Sequence, residues 1–166
     1  VAQKFPTSTA ADYAVLEAGI VSEETYVEQG MYWETGHHPL IKYILESYKP
    51  DLAMIGYPVT DEFQHQFLGL ITPKLPNGAP NPAYDDVQVN GTPDGRVAER
   101  TAFIRGAYQA ADKTLALVQK LMPKESSTFV ASDHGFAPQF AAIDASKVLV
   151  DLGLLSKPQT SNRRVA

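Results

Sequence analysis

Apolar positions along the chain fall into two kinds of run, one with helical spacing and one continuous. In HHPLIKYILESYKP, Leu40, Ile41, Ile44 and Leu45 follow the rhythm of one helix face. Pro39 is placed as a first-turn proline and Pro50 as a stop, which predicts a helix between them. A longer helix is predicted over 97–122, where Val97, Phe103, Ile104, Ala107, Leu115, Val118 and Leu121 share a face and Pro123 ends the pattern. Shorter helices are predicted around Ala10–Ala18, over 144–155 (DASKVLVDLGLL), and from Thr60, an N-cap residue type with Asp61 and Glu62 in the first turn. The stretch GIVSEETYVEQGMYW at 19–33 reads as a short strand or a surface loop. Two continuous apolar runs, DLAMIGYP at 51–58 and STFVAS at 127–132, read as buried strands.

Between these elements, residues 71–95 carry Pro73, Pro76, Pro80, Pro82 and Pro93 among glycines and asparagines. That composition predicts a long irregular loop, of the kind that serves as a lid or sets specificity. The order of strands and helices implies an α/β fold with a mostly parallel sheet flanked by helices. The 97–122 helix would then be a right-handed crossover between the strands. Their carboxyl ends would emerge on one edge of the sheet, where such folds bind ligands.

Composition narrows the picture without changing it. A length of 166 residues suits one domain, and 44% apolar with 20% charged residues is an ordinary globular mixture. The formal net charge of −5 gives no electrostatic case for binding nucleic acid or an anionic membrane surface. No apolar run approaches the roughly 18 residues of a membrane-spanning helix. With no cysteine, disulfides, thiolate metal sites and a cysteine nucleophile are excluded. The chain opens at Val1 and closes on Arg163-Arg164-Val165-Ala166 without start or stop chemistry, and reads as a single partial domain, an internal portion of something longer.

Two clusters carry candidate chemistry. Asp61 and His65 lie four apart on a predicted helix, a spacing that puts their Cβ atoms about 5–6 Å apart on one face. A carboxylate and an imidazole so placed can converge on one ion at about 2.0–2.2 Å. The alternative is a carboxylate serving the helix dipole beside a surface histidine. Asp133, His134 and Gly135 form the second cluster. Adjacent side chains of a continuing strand face opposite ways, so these two can share a ligand only where the strand ends and Gly135 lets the backbone turn. The alternative is a capping aspartate beside a solvated histidine. Together, two carboxylates and two imidazoles suit a divalent ion such as Zn²⁺. Contiguous Ser132, Asp133 and His134 cannot face one another as a nucleophilic triad, and no nucleophile elbow or glycine-rich phosphate loop is present. Tyr108 and Asp112 read as a helix-face pair, and His37-His38 as a feature of the start of a helix.

Taken in order, the strand leading into TDEFQH, the long helix, TFVASDHGF and VLVDLGLL beyond it resemble the type I phosphodiesterase/nucleotide pyrophosphatase family of the alkaline phosphatase superfamily. The resemblance covers about residues 40–155. It implies an alkaline-phosphatase-like fold and hydrolysis of small phosphodiester or nucleotide substrates at two divalent metal ions, usually zinc. Asp61 and His65 would bind one ion, and Asp133 and His134 would contribute to the other. Such a pair clamps the attacking and leaving oxygens of an in-line displacement. The family pattern also asks for an early metal-binding Asp, a Thr or Ser nucleophile and a late histidine. No histidine follows His134, and Thr7, Ser8 and Thr9 in FPTSTA only faintly match the nucleophile neighbourhood. The nucleophile and some ligands are therefore expected outside this chain. Sulfatases, phosphonate hydrolases and phosphomutases share the metal geometry, and a non-catalytic binding domain of the same fold is a further alternative. The resemblance slightly favours an exported origin.

Overall fold

The computed structural model describes residues 10–140 and 144–157; Thr7, Ser8 and Thr9 lie outside them. Five helices follow one another: α1 (Tyr13–Glu17), α2 (Glu23–Tyr48), α3 (Val59–Phe67), α4 (Val97–Leu121) and α5 (Ala145–Asp151). Local chemistry sets several of their ends. Asp12 caps α1 by accepting from the Ala14 N–H at 3.0 Å, and Ser22 caps α2 by accepting from Thr25 N–H at 3.2 Å. Asp144 accepts from the N–H groups of Ser146 and Lys147 at the start of α5. Lys49 ends α2 in the left-handed region at φ 46°.

Residues 23–48 form one helix, so the stretch expected as strand or loop is helical and Pro39 sits inside α2 rather than at its first turn. The buried positions Tyr26, Gly30 and Glu34 step by four along the face that packs on α3 and α4. That face decides the conformation, and the missing N–H of one proline does not overturn it. His37 and His38 are likewise within the helix. At the N-terminus of α3, Pro58 rather than Thr60 occupies the cap position, with no side-chain cap.

The core lies between α2, α3 and α4, where Tyr26, Phe63, Phe67 and Ala107 are buried. Phe63 meets Tyr26 and Phe67 with ring centroids 5.9 and 6.1 Å apart, and the Phe67–Phe103 pair reaches α4 at 5.4 Å. α2 can approach this closely because Gly30 has no side chain. A Cβ there would stand 2.8 Å from the Phe63 ring. The α2–α4 contact also holds a polar group. Glu34 is buried, accepts from the Thr114 hydroxyl at 2.7 Å, and shares that hydroxyl with His38 Nε2 at 2.8 Å. Burial pushes the Glu34 carboxyl above its ordinary range, with Thr114, His38 and His37 pulling the other way.

The expected parallel sheet does not form among the described residues. The only strand-like pairing there is an isolated bridge between Lys74 and Pro80. Residues 51–58 and 127–132 lack strand pairing, and the side chains expected to be buried are open to solvent: Leu52 is 77% exposed, Met54 89% and Phe129 90%. A continuous apolar run records only that a segment wants cover; a strand also needs neighbours to pair with and helices on both faces. Here α4 packs on α2 and α3, and of the two runs only Tyr57 reaches it, donating to the Ala107 carbonyl at 2.9 Å, so among the described residues α4 is not a crossover between paired strands.

Residues 71–95 fold back on the turn that follows α3. Asn81 is buried and donates from its amide to the carbonyls of Gly69 and Thr72, each at 2.7 Å. The Asp85 N–H takes the Leu70 carbonyl at 2.8 Å. The carbonyls of the turn that follows α3 are thereby supplied with donors. Asp86, also buried, accepts from the N–H groups of Gln88, Gly91 and Thr92. The far end of the loop is anchored by Arg100, which is 0% exposed and donates to Glu23 at 3.0 Å and to Asp94 at 3.0 Å. Arg96 adds contacts to Glu23 and Glu24. Among the described residues, no helix is long and apolar enough to cross a membrane.

Candidate functional site

α3 starts one residue after Pro58, which sets Asp61 and His65 one turn apart on the helix face turned toward residues 133–139. His65 Nε2 stands 3.4 Å from Asp61 Oδ2. The other oxygen, Oδ1, stands 3.6 Å from His134 Nε2, and the same nitrogen is 3.6 Å from Asp133 Oδ2. The four sequence-selected residues thus form a chain, Asp133–His134–Asp61–His65, with the Asp61 carboxylate in the middle. Asp61 Oδ1 is buried and accepts no hydrogen bond.

Both imidazoles are held by their other nitrogen. His65 Nδ1 lies 3.3 Å from Gln139 Oε1, and His134 Nδ1 lies 3.0 Å from the Gly135 carbonyl. Because a carbonyl oxygen can only accept, each Nδ1 carries the proton in the neutral ring and each Nε2 keeps its lone pair. Phe136 packs edge-on against His65, with centroids 4.7 Å apart. The Gly135 carbonyl, followed by the charges of Asp133 and Asp61, raises the pKa of His134.

A cleft of about 370 Å³ opens beside this chain, lined by Tyr13 and Glu17 of α1, by Asp61, Glu62 and His65 of α3, and by Gln139. Three of these are carboxylates, and no Lys or Arg is among the described lining residues. Burial pushes the Glu62 carboxyl up, against a hydrogen bond from the Tyr26 hydroxyl at 3.3 Å.

The donor set fits divalent metal in pairs. Two ligands each about 2.1 Å from a tetrahedral ion are about 3.4 Å apart, close to the separations on either side of Asp61. Among the described residues, no group of three or more carboxylates and imidazoles could enclose one ion, so the arrangement is a chain of pairs and not a closed shell.

A family model for type I phosphodiesterase / nucleotide pyrophosphatase matches residues 2–159. The chain belongs to that family. No curated protein and no solved structure matches it significantly. The type I phosphodiesterase family comprises hydrolases of phosphodiester and nucleotide substrates and is generally metal-dependent.

Other histidines and helix-face pairs are occupied elsewhere. His37 Nδ1 is 2.7 Å from the Trp33 carbonyl and His38 is committed to Thr114, both away from the cleft. Tyr108 and Asp112 line a shallow depression on α4 together with Arg105, Gln109 and Lys113. Sequence reasoning missed Gln139, Asn81 and Phe136. No local spacing marks them, because Gln139 meets His65 across 74 residues of chain.

Proposed function

We propose that this chain is the part of a phosphodiester or nucleotide pyrophosphate hydrolase in which Asp61 and His65 hold one divalent ion and Asp133 and His134 contribute to the other, with the nucleophile and some ligands supplied from outside it. The observation that carries this reading is the presentation of two imidazole Nε2 atoms to the two oxygens of one carboxylate, each ring fixed by a carbonyl at Nδ1. The acidity of the cleft supports it. A phosphate anion beside Glu17, Asp61 and Glu62 needs positive charge that the described lining residues lack. Zinc would supply that charge and stabilise the developing negative charge of phosphoryl transfer.

The chain's own groups perform the rest. Asp61 and His65 would hold one ion and Asp133 and His134 the other, Gln139 and the Gly135 carbonyl keep the Nδ1 protons in place, and Phe136 covers one edge of His65. Burial raises the pKa of Glu62, against the hydrogen bond that its carboxylate accepts from the Tyr26 hydroxyl.

The test combines zinc titration, followed through the ring nitrogens of His65 and His134, with hydrolysis of a chromogenic phosphodiester by the full-length protein that carries the nucleophile. Both rings are expected to shift on adding zinc, and a chelator is expected to abolish turnover. Asp61→Asn should weaken zinc binding and slow hydrolysis by a factor of about 100. Undisturbed rings in the presence of zinc, or an Asp133→Ala variant that hydrolyses as fast as the parent, would overturn the assignment.

A further inference from the structure

We propose that Gln139 and Asn81 are positioning residues for His65, Gln139 by fixing its tautomer and Asn81 by holding the turn on which Gln139 rests. The proposal builds on the metal reading of Asp61 and His65. Left to itself, an exposed neutral imidazole exchanges its proton between two nitrogens and turns about its χ angles, so only part of the population offers Nε2 to Asp61. An acceptor at Nδ1 removes that freedom, and Gln139 Oε1 is the acceptor here, at 3.3 Å.

Gln139 belongs to no helix, so something else must seat it. Its backbone carbonyl lies against Gly69, close enough that a Cβ on that residue would come within 2.7 Å of the oxygen. Gly69 in turn sits in the turn that follows α3. Asn81 closes this turn with its two amide donors on the Gly69 and Thr72 carbonyls and its own N–H on the Pro73 carbonyl at 3.0 Å. The remaining capacity of the Asn81 side chain is used as well, its oxygen accepting from the Ala83 N–H at 3.0 Å. A buried amide with all these partners holds one geometry, and the path from Asn81 through Gly69 and Gln139 to His65 is continuous.

Long-range ring-nitrogen spectra of zinc-free protein, recorded where the imidazole is neutral, read the tautomer directly. Gln139→Met keeps the side-chain length and loses the acceptor; Gln139→Glu keeps both. Gln139 is exposed, so neither change touches the core, and unchanged helical circular dichroism checks this. The Met variant is expected to mix the two His65 tautomers and to bind zinc at least about tenfold more weakly, with the Glu variant restoring the parent tautomer. Gly69→Ala should mix the tautomers although Gln139 is still present, and Asn81→Asp, which lacks the amide donors, should do the same. A single parent-like tautomer in Gln139→Met overturns the role of Gln139, and one in both Gly69→Ala and Asn81→Asp overturns the latch. The two readings separate cleanly. If the tautomer changes but zinc perturbs neither His65 nor His134 in any form, the metal reading falls and the positioning role stands. If zinc perturbs both rings in the parent while Gln139→Met keeps the tautomer, the positioning role alone falls.

Discussion

Two glycines of α2 have opposite expected responses to the same substitution. Gly30 faces Phe63, which is fully buried between Tyr26 and Phe67 and cannot give way, while Gly36 has nothing within 4 Å of where a Cβ would stand. Alanine favours a helix interior over glycine by about 1 kcal/mol. At Gly36 that gain is unopposed, and Gly36→Ala should stabilise the protein by about 0.5–1 kcal/mol. At Gly30 it meets an overpacking cost of about 1–3 kcal/mol, so Gly30→Ala should destabilise by about 1 kcal/mol. Urea unfolding midpoints that move in opposite directions would bear this out; two shifts of the same sign would count against it. The proximity of the candidate residues was legible where their spacing was local, as with Asp61 and His65 four apart or adjacent Asp133 and His134. Their supports were not. Arg100 meets Glu23 across 77 positions and His65 meets Gln139 across 74, and no periodicity links residues so far apart.

At the scale of elements, α4 appears almost as its pattern predicts because one face must be buried every 3.6 residues, whereas the first part of α2 was misread as strand or loop. Strands were not readable from their apolar runs, since an uncovered extended segment and a buried strand have the same composition. The buried Arg100 tests how the loop is tied to α2 and α4. Arg100→Leu takes from Asp94 its Arg100 partner and leaves Glu23 with Arg96 alone, and should cost about 3 kcal/mol in denaturant unfolding. The same anchor has a pH signature. The hydrogen bond from Arg96 holds Glu24 down at about 2, and Asp94 is lowered by its Arg100 contacts despite its own desolvation. Groups lowered in the folded state contribute stability above their unfolded range, so this contribution is lost as pH falls from about 4.5 toward 2. Glu34 behaves in the opposite sense. Its raised pKa means that folding holds a proton, so the α2–α4 contact weakens as pH rises above 4.5. Glu34→Gln should be more stable than the parent at pH 7 and should lose that advantage by pH 4. An advantage that stays constant across this range would remove the proposed cause.

Taken whole, the molecule places its apolar core among α2, α3 and α4 and leaves Leu52, Met54, Phe129 and Val130 outside it. Exposed apolar segments without strand pairing invite other copies to pair with them. Met54→Lys combined with Phe129→Lys is therefore expected to reduce self-association in sedimentation experiments at little cost in stability, because neither side chain is packed. The loop of residues 71–95 has the opposite character. Its five prolines suggest an appendage that an engineer could trim or a protease could nick. Its amides instead hold the turn that follows α3 and brace the backbone beneath Gln139. Trypsin should cut after Lys124, at the head of the extended segment, well before it cuts after Lys74 within the loop. A truncation that removed the loop would take the footing of His65 with it, so variation in this region has to be made by exchanging exposed side chains on an intact backbone, never by shortening it.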